Sequence, residues 1–152
     1  MSDGDAPTGV GKTALGVAMV RAEESRRSDR LFDDPYAAAF LAAAPGAFER
    51  EQRAVTTGVA DMAAWGTAFW TQTVIRTRFY DDYLLDAAHG GIRQVVLLAA
   101  GLDTRAYRLA WPDGLRLFEV DLPEVLQFKQ RVLDEQADAP RSDRRDRGTS
   151  SR

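Results

Sequence analysis

The spacing of apolar residues predicts helices in the first part of the chain. Between Thr13 and Ala22, apolar side chains recur at helical spacing, which predicts a short helix with one apolar face. Asp34 is suited to the N-cap of a second helix and Pro35 to its first position, and Pro45 with the glycine after it would end this helix. The chain therefore begins with a pair of helices.

A longer helical segment is predicted next, because residues 55–88 contain no proline. Apolar or small residues form one stripe, made up of Val55, Val59, Met62, Gly66, Phe69 and Thr73. A second stripe follows it, made up of Ile75, Phe79 and Tyr83. We interpret Trp65, Phe69 and Trp70 as core residues. The segment is expected to form one or two helices that end at His89, where Gly90 and Gly91 suit a left-handed C-cap.

The pattern then changes from helical to strand-like. Gln94 to Ala100 is a continuous apolar run, typical of a strand buried on both faces of a parallel sheet. Leu115 to Asp121 is a second candidate strand, and Pro123 opens an amphipathic helix after it. This order predicts the start of an α/β sheet.

Composition narrows the class of protein. The 152 residues are 45% hydrophobic, enough for one domain with a core, and the net charge of -3 gives no reason to expect nucleic acid. The apolar runs are too short to cross a bilayer. With no cysteine and a single histidine, His89, we expect no metal site and no catalytic triad. The acidic N-terminus does not resemble a signal peptide, so we expect a cytoplasmic protein.

The end of the chain differs in kind from the rest. Residues 137–152 alternate arginine with aspartate and small polar residues and contain no large apolar residue, so this segment is interpreted as a disordered or frameshifted tail. We assign residues 1–136 to part of a single domain. Within it, residues 10–90 form a helical extension and residues 92–136 begin the sheet.

The turn after the first predicted strand is a candidate ligand site. Gly101 follows the strand, at the edge where open α/β sheets bind their cofactors. A dinucleotide site needs several glycines to accommodate pyrophosphate, and this turn has one. A cofactor without phosphate, such as S-adenosylmethionine, would need only the tight turn.

Two further positions carry chemistry that such a ligand could use. Asp121 ends the second predicted strand twenty residues after Gly101, where a carboxylate commonly accepts both ribose hydroxyls. The alternative is that Asp121 caps the following helix. Arg76 and Arg78 could each bind a carboxylate through two hydrogen bonds, or could simply be solvated on a helix surface.

A phosphate-binding loop is the main competing motif. Residues 6–13 fit its relaxed form, with Lys12 and Thr13 at the end. Such a loop must follow a buried strand, and the five residues before Ala6 show no strand pattern. We therefore treat the match as accidental and keep a nucleotide-binding protein as an alternative.

Three segments of the chain carry longer sequence patterns. They are Arg76–Asp82, then Gln94–Leu109 with its Gly-Leu-Asp-Thr-Arg sequence, and Phe118–Val125 with its Phe-Glu-Val-Asp sequence. Together these segments resemble the bacterial branch of the leucine carboxyl methyltransferase family. Arg21–Arg26 and the Asp34–Pro35 pair are also similar to that branch. The resemblance runs from about Val10 to Glu135.

The resemblance implies a Rossmann-like methyltransferase sheet with extra N-terminal helices and methyl transfer from S-adenosylmethionine to an unidentified small or carboxylate-bearing acceptor. It implies that Gly101 lies under the cofactor, that Asp121 holds the ribose and that Arg76 faces the methionine carboxylate, with Arg78 as the alternative. Methyl transfer from a sulfonium is an in-line displacement, so orientation matters most and no catalytic residue is assigned.

The family pattern continues beyond the second strand, whereas residues 137–152 do not follow it. Two strands leave most ladder groups and one apolar face unpaired. We therefore expect the isolated chain to bind S-adenosylmethionine weakly or not at all and to show no turnover. A noncatalytic remnant or interaction module is the alternative function.

Overall fold

The computed structural model describes residues 10–45 and 59–138, with side chains described over residues 13–45 and 65–137. This part of the chain is a small α/β structure. Its elements are α1 (Val10–Arg26), α2 (Ala37–Ala42), α3 (Val59–His89), β1 (Gln94–Leu98), α4 (Arg105–Arg108), β2 (Arg116–Val120) and α5 (Pro123–Asp138). The predicted order of helices, strand, turn segment, strand and helix is confirmed.

The first two helices pack on each other, as their apolar faces require. Leu15 and Ala18 of α1 are fully buried and contact Phe40 of α2 in the main core. The second helix begins at Ala37 rather than at Pro35, because the Asp34 carboxylate first closes a turn. Its Oδ1 accepts hydrogen bonds from the backbone N–H groups of residues 36 and 37, at 3.1 and 3.2 Å.

The long helix α3 is continuous over the described residues and ends where glycine was expected to end it. Gly91 has a φ of 111°, which an L-residue rarely adopts, and the backbone N–H of Gly90 donates to the carbonyl of Asp86 at 2.8 Å. Val55, the start of the predicted stripe, lies outside the described residues. The interpretation of Trp65 and Phe69 as core residues is wrong, because their exposed fractions are 73% and 42%.

The two strands are adjacent and parallel, which confirms the predicted sheet. Val96 is the register partner of Phe118, and Leu98 is the partner of Val120. The ladder continues past the strands, since the backbone N–H of Ala100 donates to the carbonyl of Val120 at 3.1 Å. Both strands therefore end at the same edge of the sheet.

The prediction that β1 is buried on both faces is wrong for the described part of the chain. One face is covered, because Val95 is buried and Lys129 of α5 donates to Glu119 of β2 at 2.6 Å. The opposite face is open to solvent. Its side chains are 48–75% exposed and belong to Val96, Leu98, Phe118 and Val120.

The final helix α5 completes the core on the covered side. Phe128, Val132 and Leu133 pack against Leu15 and Phe40, so three helices share one apolar cluster. The helix reaches Asp138, two residues beyond the predicted boundary at residue 136. The segment that follows lies outside the described residues. In the part of the chain that is described, no helix is both long and apolar enough to cross a membrane.

Candidate functional site

The carboxyl ends of the two strands bring the predicted glycine and carboxylate together. The backbone N–H of Gly101 donates to Oδ2 of Asp121 at 2.6 Å. The other carboxylate oxygen accepts the backbone N–H of Leu122 at 2.7 Å. Asp121 therefore fixes the turn after β1 to the end of β2, although the residues are twenty positions apart in sequence.

The turn itself has an unusual backbone. Gly101 has a φ of 53°, and a Cβ atom added there would lie 3.3 Å from the Cβ of Ala14 on α1. Ala99 also has a positive φ, 51°, although it is not glycine. Non-glycine residues in this region carry strain and are concentrated at functional sites. Helix α1 thus approaches the turn closely at a point where only glycine fits without strain.

A cavity of about 330 Å³ opens beside this turn. Its volume lies within the range of about 300–1,000 Å³ that is typical of small-molecule sites. Its walls come from α1, α3, the turn after β1, the end of β2 and the start of α5. The lining includes Ala14, Val17, Phe69, Arg76, Gly101 and Asp121. The structure therefore brings the three residues singled out by the sequence to one cavity.

The two candidate arginines of α3 have different surroundings. Arg76 lines the cavity, and its guanidinium has no hydrogen bond or ion pair with the residues that the structure describes. Arg78 points elsewhere, since its Nε donates to Oδ2 of Asp82 at 2.8 Å and its Nη1 donates to the carbonyl of Leu31 at 3.0 Å. Arg76 is the arginine available to a ligand in this cavity.

Asp81 anchors the helical turn α4 to α3. Its Oδ1 accepts from Nε of Arg105 and from Nη2 of Arg108, both at 2.7 Å, and its Oδ2 accepts from Nη1 of Arg108 at 2.6 Å. Arg105 also pairs with Asp103 and donates to the carbonyl of Thr77 at 3.2 Å. These side chains are at most 19% exposed. The charged residues after Gly101 thus hold the turn rather than face solvent.

A second set of contacts joins the turn to α1. Arg21 forms a buried ion pair with Oδ2 of Asp34 at 2.8 Å and donates from Nη2 to the carbonyl of Leu102 at 2.6 Å. Burial lowers the pKa of Arg21 below its ordinary value, and the negative charges of Asp34 and Asp103 oppose that shift. Asp34 has no exposed side-chain surface, so this pair is shielded from solvent.

Sequence reasoning singled out Arg76 but missed the other residues that α1 and α3 contribute to the cavity. Thr13, Val17 and Arg21 follow each other at four-residue spacing on α1, and Phe69, Gln72 and Arg76 do so at three- or four-residue spacing on α3. Helical spacing puts each set on one face, which is the signal that could have grouped them. The sequence alone did not indicate that these two faces meet.

Other site types find no support in the described residues. No group of histidine, aspartate and glutamate side chains there could hold a metal ion. Lys12 and Thr13 of the phosphate-loop motif belong to α1, which begins at Val10. The earlier part of that motif lies outside the described residues.

The described residues form an α/β structure with a cavity at the carboxyl ends of two parallel strands, the edge at which open α/β sheets bind small molecules. Residues 14–149 match the leucine carboxyl methyltransferase family. The chain belongs to this family. The match extends into the segment after residue 136 that the sequence analysis separates from the domain.

Two relatives share this region. A protein of Frankia alni is 56% identical over 140 residues, covering 92% of this chain and 48% of the relative. One of Streptomyces coelicolor is 52% identical over 127 residues, covering 84% of this chain and 44% of the relative. Their names provisionally describe both as S-adenosyl-L-methionine-dependent methyltransferases. The chain spans less than half the length of these relatives.

Proposed function

We propose that this chain carries the cofactor-binding part of an S-adenosylmethionine-dependent methyltransferase with a Rossmann-like sheet. The observation that carries the proposal is the shared cavity of Gly101, Asp121 and Arg76 at the carboxyl edge of β1 and β2. The family match and the names of the relatives support the same cofactor. The methyl acceptor is a small or carboxylate-bearing molecule.

The adenosine end of the cofactor would be bound by the turn and the end of β2. Asp121 accepts one backbone N–H on each carboxylate oxygen, and each oxygen has a further lone pair. Two ribose hydroxyls could donate to those remaining positions. Gly101 has no side chain, so its backbone would leave room for the nucleoside close to the strand end.

The methionine end would be bound by Arg76. A guanidinium without a partner can form two parallel hydrogen bonds with the amino-acid carboxylate of the cofactor. In the described part of the chain, Arg78 is already engaged by Asp82 and Leu31, which favours Arg76. The cavity thus has a positive charge, Arg76, for one end of the ligand and a carboxylate, Asp121, for the other. This arrangement suits a ligand with a carboxylate at the first end and hydroxyls at the second.

The protein's part in the reaction would be orientation. When bound, the cofactor would supply a methyl group on a sulfonium, and the neutral thioether S-adenosylhomocysteine would be the leaving group. Arg76 and Asp121 would fix both ends of the cofactor, so that an acceptor can approach the methyl group in line. No residue is assigned as a general base.

The proposal can be tested by NMR titration of the purified chain with S-adenosylhomocysteine, which detects weak binding. Of the two outcomes expected for the isolated chain, weak binding and no binding, the proposal requires weak binding, with shifts in the backbone signals of residues 99–105 and 121. Asp121→Ala and Arg76→Gln should each weaken binding by roughly tenfold or more, because each removes a charge-assisted contact. Arg78→Gln is the control, and its titration should match that of the unmodified chain.

Two results would contradict the proposal. If saturating S-adenosylhomocysteine causes no shift around Gly101, the chain has no such site, and the interaction-module alternative gains. If ATP instead protects residues 9–13 from proteolysis, the phosphate-loop alternative is correct. Tight calorimetric binding together with methyl transfer by this chain would show that our expectation of weak binding is wrong.

A further inference from the structure

We infer that Thr104 is a positioning residue, which sets the geometry of the glycine turn by tying it to α1 and α2 through Arg21 and Asp34. The inference concerns residues outside the proposed cofactor contacts. It rests on the proposed function only for its effect on ligand affinity.

The hydroxyl of Thr104 uses its full hydrogen-bonding capacity. Thr104 is fully buried, and its Oγ1 donates to Oδ2 of Asp34 at 2.7 Å. The same oxygen accepts from Nη1 of Arg21 and from Nε of Arg108, both at 3.2 Å. A hydroxyl has one proton and two lone pairs, so all three are occupied. Serine could make the same set of bonds and valine could make none of them.

Arg21 extends this junction to the turn. Its Nη2 donates to the carbonyl of Leu102 at 2.6 Å, directly after Gly101, while its Nη1 contacts Asp34 and Thr104. The side chain of Leu102 is 2% exposed and packs in the main core. The turn is therefore held on one side by Asp121 and on the other by Arg21.

Asp34 completes the link to the helical part of the chain. One of its oxygens caps the turn before α2, and the other accepts from Thr104 and pairs with Arg21. The contacts between Thr104 and the α1–α2 region span 70 and 83 positions in sequence. A shift of α1 or α2 would therefore move the carbonyl of Leu102 and the amide of Gly101 with it.

The buried charges around this junction balance each other. Arg21, Arg105 and Arg108 face Asp34, Asp81 and Asp103. Loss of the Thr104 hydroxyl would remove one hydrogen bond each from Asp34, Arg21 and Arg108, while their ion pairs would remain. Buried polar groups that lose their partner rearrange or become hydrated, and either change would loosen the turn.

The test compares Thr104→Val with Thr104→Ser in the full chain, with amide hydrogen exchange measured by NMR. The readout is the protection of the Gly101 amide relative to amides in the middle of α5, which contains none of the substituted residues. Thr104→Val should lower this ratio by roughly tenfold, and Thr104→Ser should keep it within about threefold. Val74→Ala is the control, because Val74 is buried in a separate cluster with Val20 and Phe32. It should lower both protections in parallel.

Asp34→Asn serves as a second variant if Thr104→Val does not fold. Asparagine caps helices as well as aspartate does, but it presents an amide where Arg21 and Thr104 need an acceptor. It should lower the same protection ratio without shortening α2. An unchanged ratio in the folded variants, or a Thr104→Ser variant that behaves like Thr104→Val, would overturn the inference.

A ligand titration separates this inference from the proposed function. With S-adenosylhomocysteine as the probe, Thr104→Val should weaken binding about fivefold or more, and Val74→Ala should leave it unchanged. If the unmodified chain does not bind the probe, the proposed function fails and hydrogen exchange alone decides the role of Thr104. If binding is normal in Thr104→Val, the positioning role is wrong.

Discussion

Substitution of Gly101 by alanine tests the geometry of the turn most directly. The φ of Gly101 is 53°, and this left-handed conformation costs an L-residue about 1–2 kcal/mol. The new Cβ would also lie 3.3 Å from the Cβ of Ala14, so α1 would have to move by a few tenths of an ångström. Together these effects should lower the free energy of unfolding by about 1–3 kcal/mol.

Urea unfolding followed by circular dichroism measures this effect. An unchanged slope of the unfolding free energy against urea concentration checks that the unfolded state is the same. Gly16→Ala is the matched control. It introduces the same methyl group into α1, where nothing lies within 4 Å, and should stabilise the protein by about 0.5–1 kcal/mol. If Gly101→Ala is neutral or stabilising, the described turn and its contact with α1 are wrong.

Further predictions concern charge, burial and pH. Asp81→Asn should lower the free energy of unfolding by about 3–5 kcal/mol because it breaks a buried network. Asp82→Asn should lower it by at most about 1 kcal/mol because its ion pair is exposed, and urea unfolding of the two variants measures the difference. Val95→Ala should cost about 1.5–2.5 kcal/mol in the same assay, and Val96→Ala within about 0.5 kcal/mol, because only Val95 is buried. Equal costs would contradict a sheet covered on one face. Burial and nearby carboxylates raise the pKa of Tyr107, so the unfolded chain ionises first and stability should fall as the pH rises through about 10. Thermal unfolding across this pH range should show a smaller fall in melting temperature for Tyr107→Phe than for the unmodified chain.

Patterns of local sequence were sufficient to predict the order of secondary-structure elements and to bring two candidate residues to one place. The apolar run from Gln94 to Ala100, the glycine at position 101 and the carboxylate at position 121 predicted two parallel strands whose ends meet, and the structure has Gly101 and Asp121 in contact there. These features are local, because strand and turn preferences depend on neighbouring residues. Parallel pairing then brings consecutive strand ends to the same edge.

The local sequence pattern left the choice between Arg76 and Arg78 open, although the family resemblance favoured Arg76. A helix turns by about 100° per residue, so side chains two positions apart point in nearly opposite directions, and the rotation of α3 about its axis decides which one faces the cavity. The packing of α3 against the rest of the chain fixes that rotation. It directs Arg76 to the cavity and Arg78 to Leu31.

The sequence by itself determined the order of elements and the sheet edge at which Gly101 and Asp121 lie, because both follow from the types of neighbouring residues. Only the tertiary structure decided that the sheet is covered on one face and that Thr104 joins Arg21 and Asp34. These contacts link residues 70 or more positions apart, and their geometry depends on how whole helices pack. No local pattern of polar residues specifies such a partner.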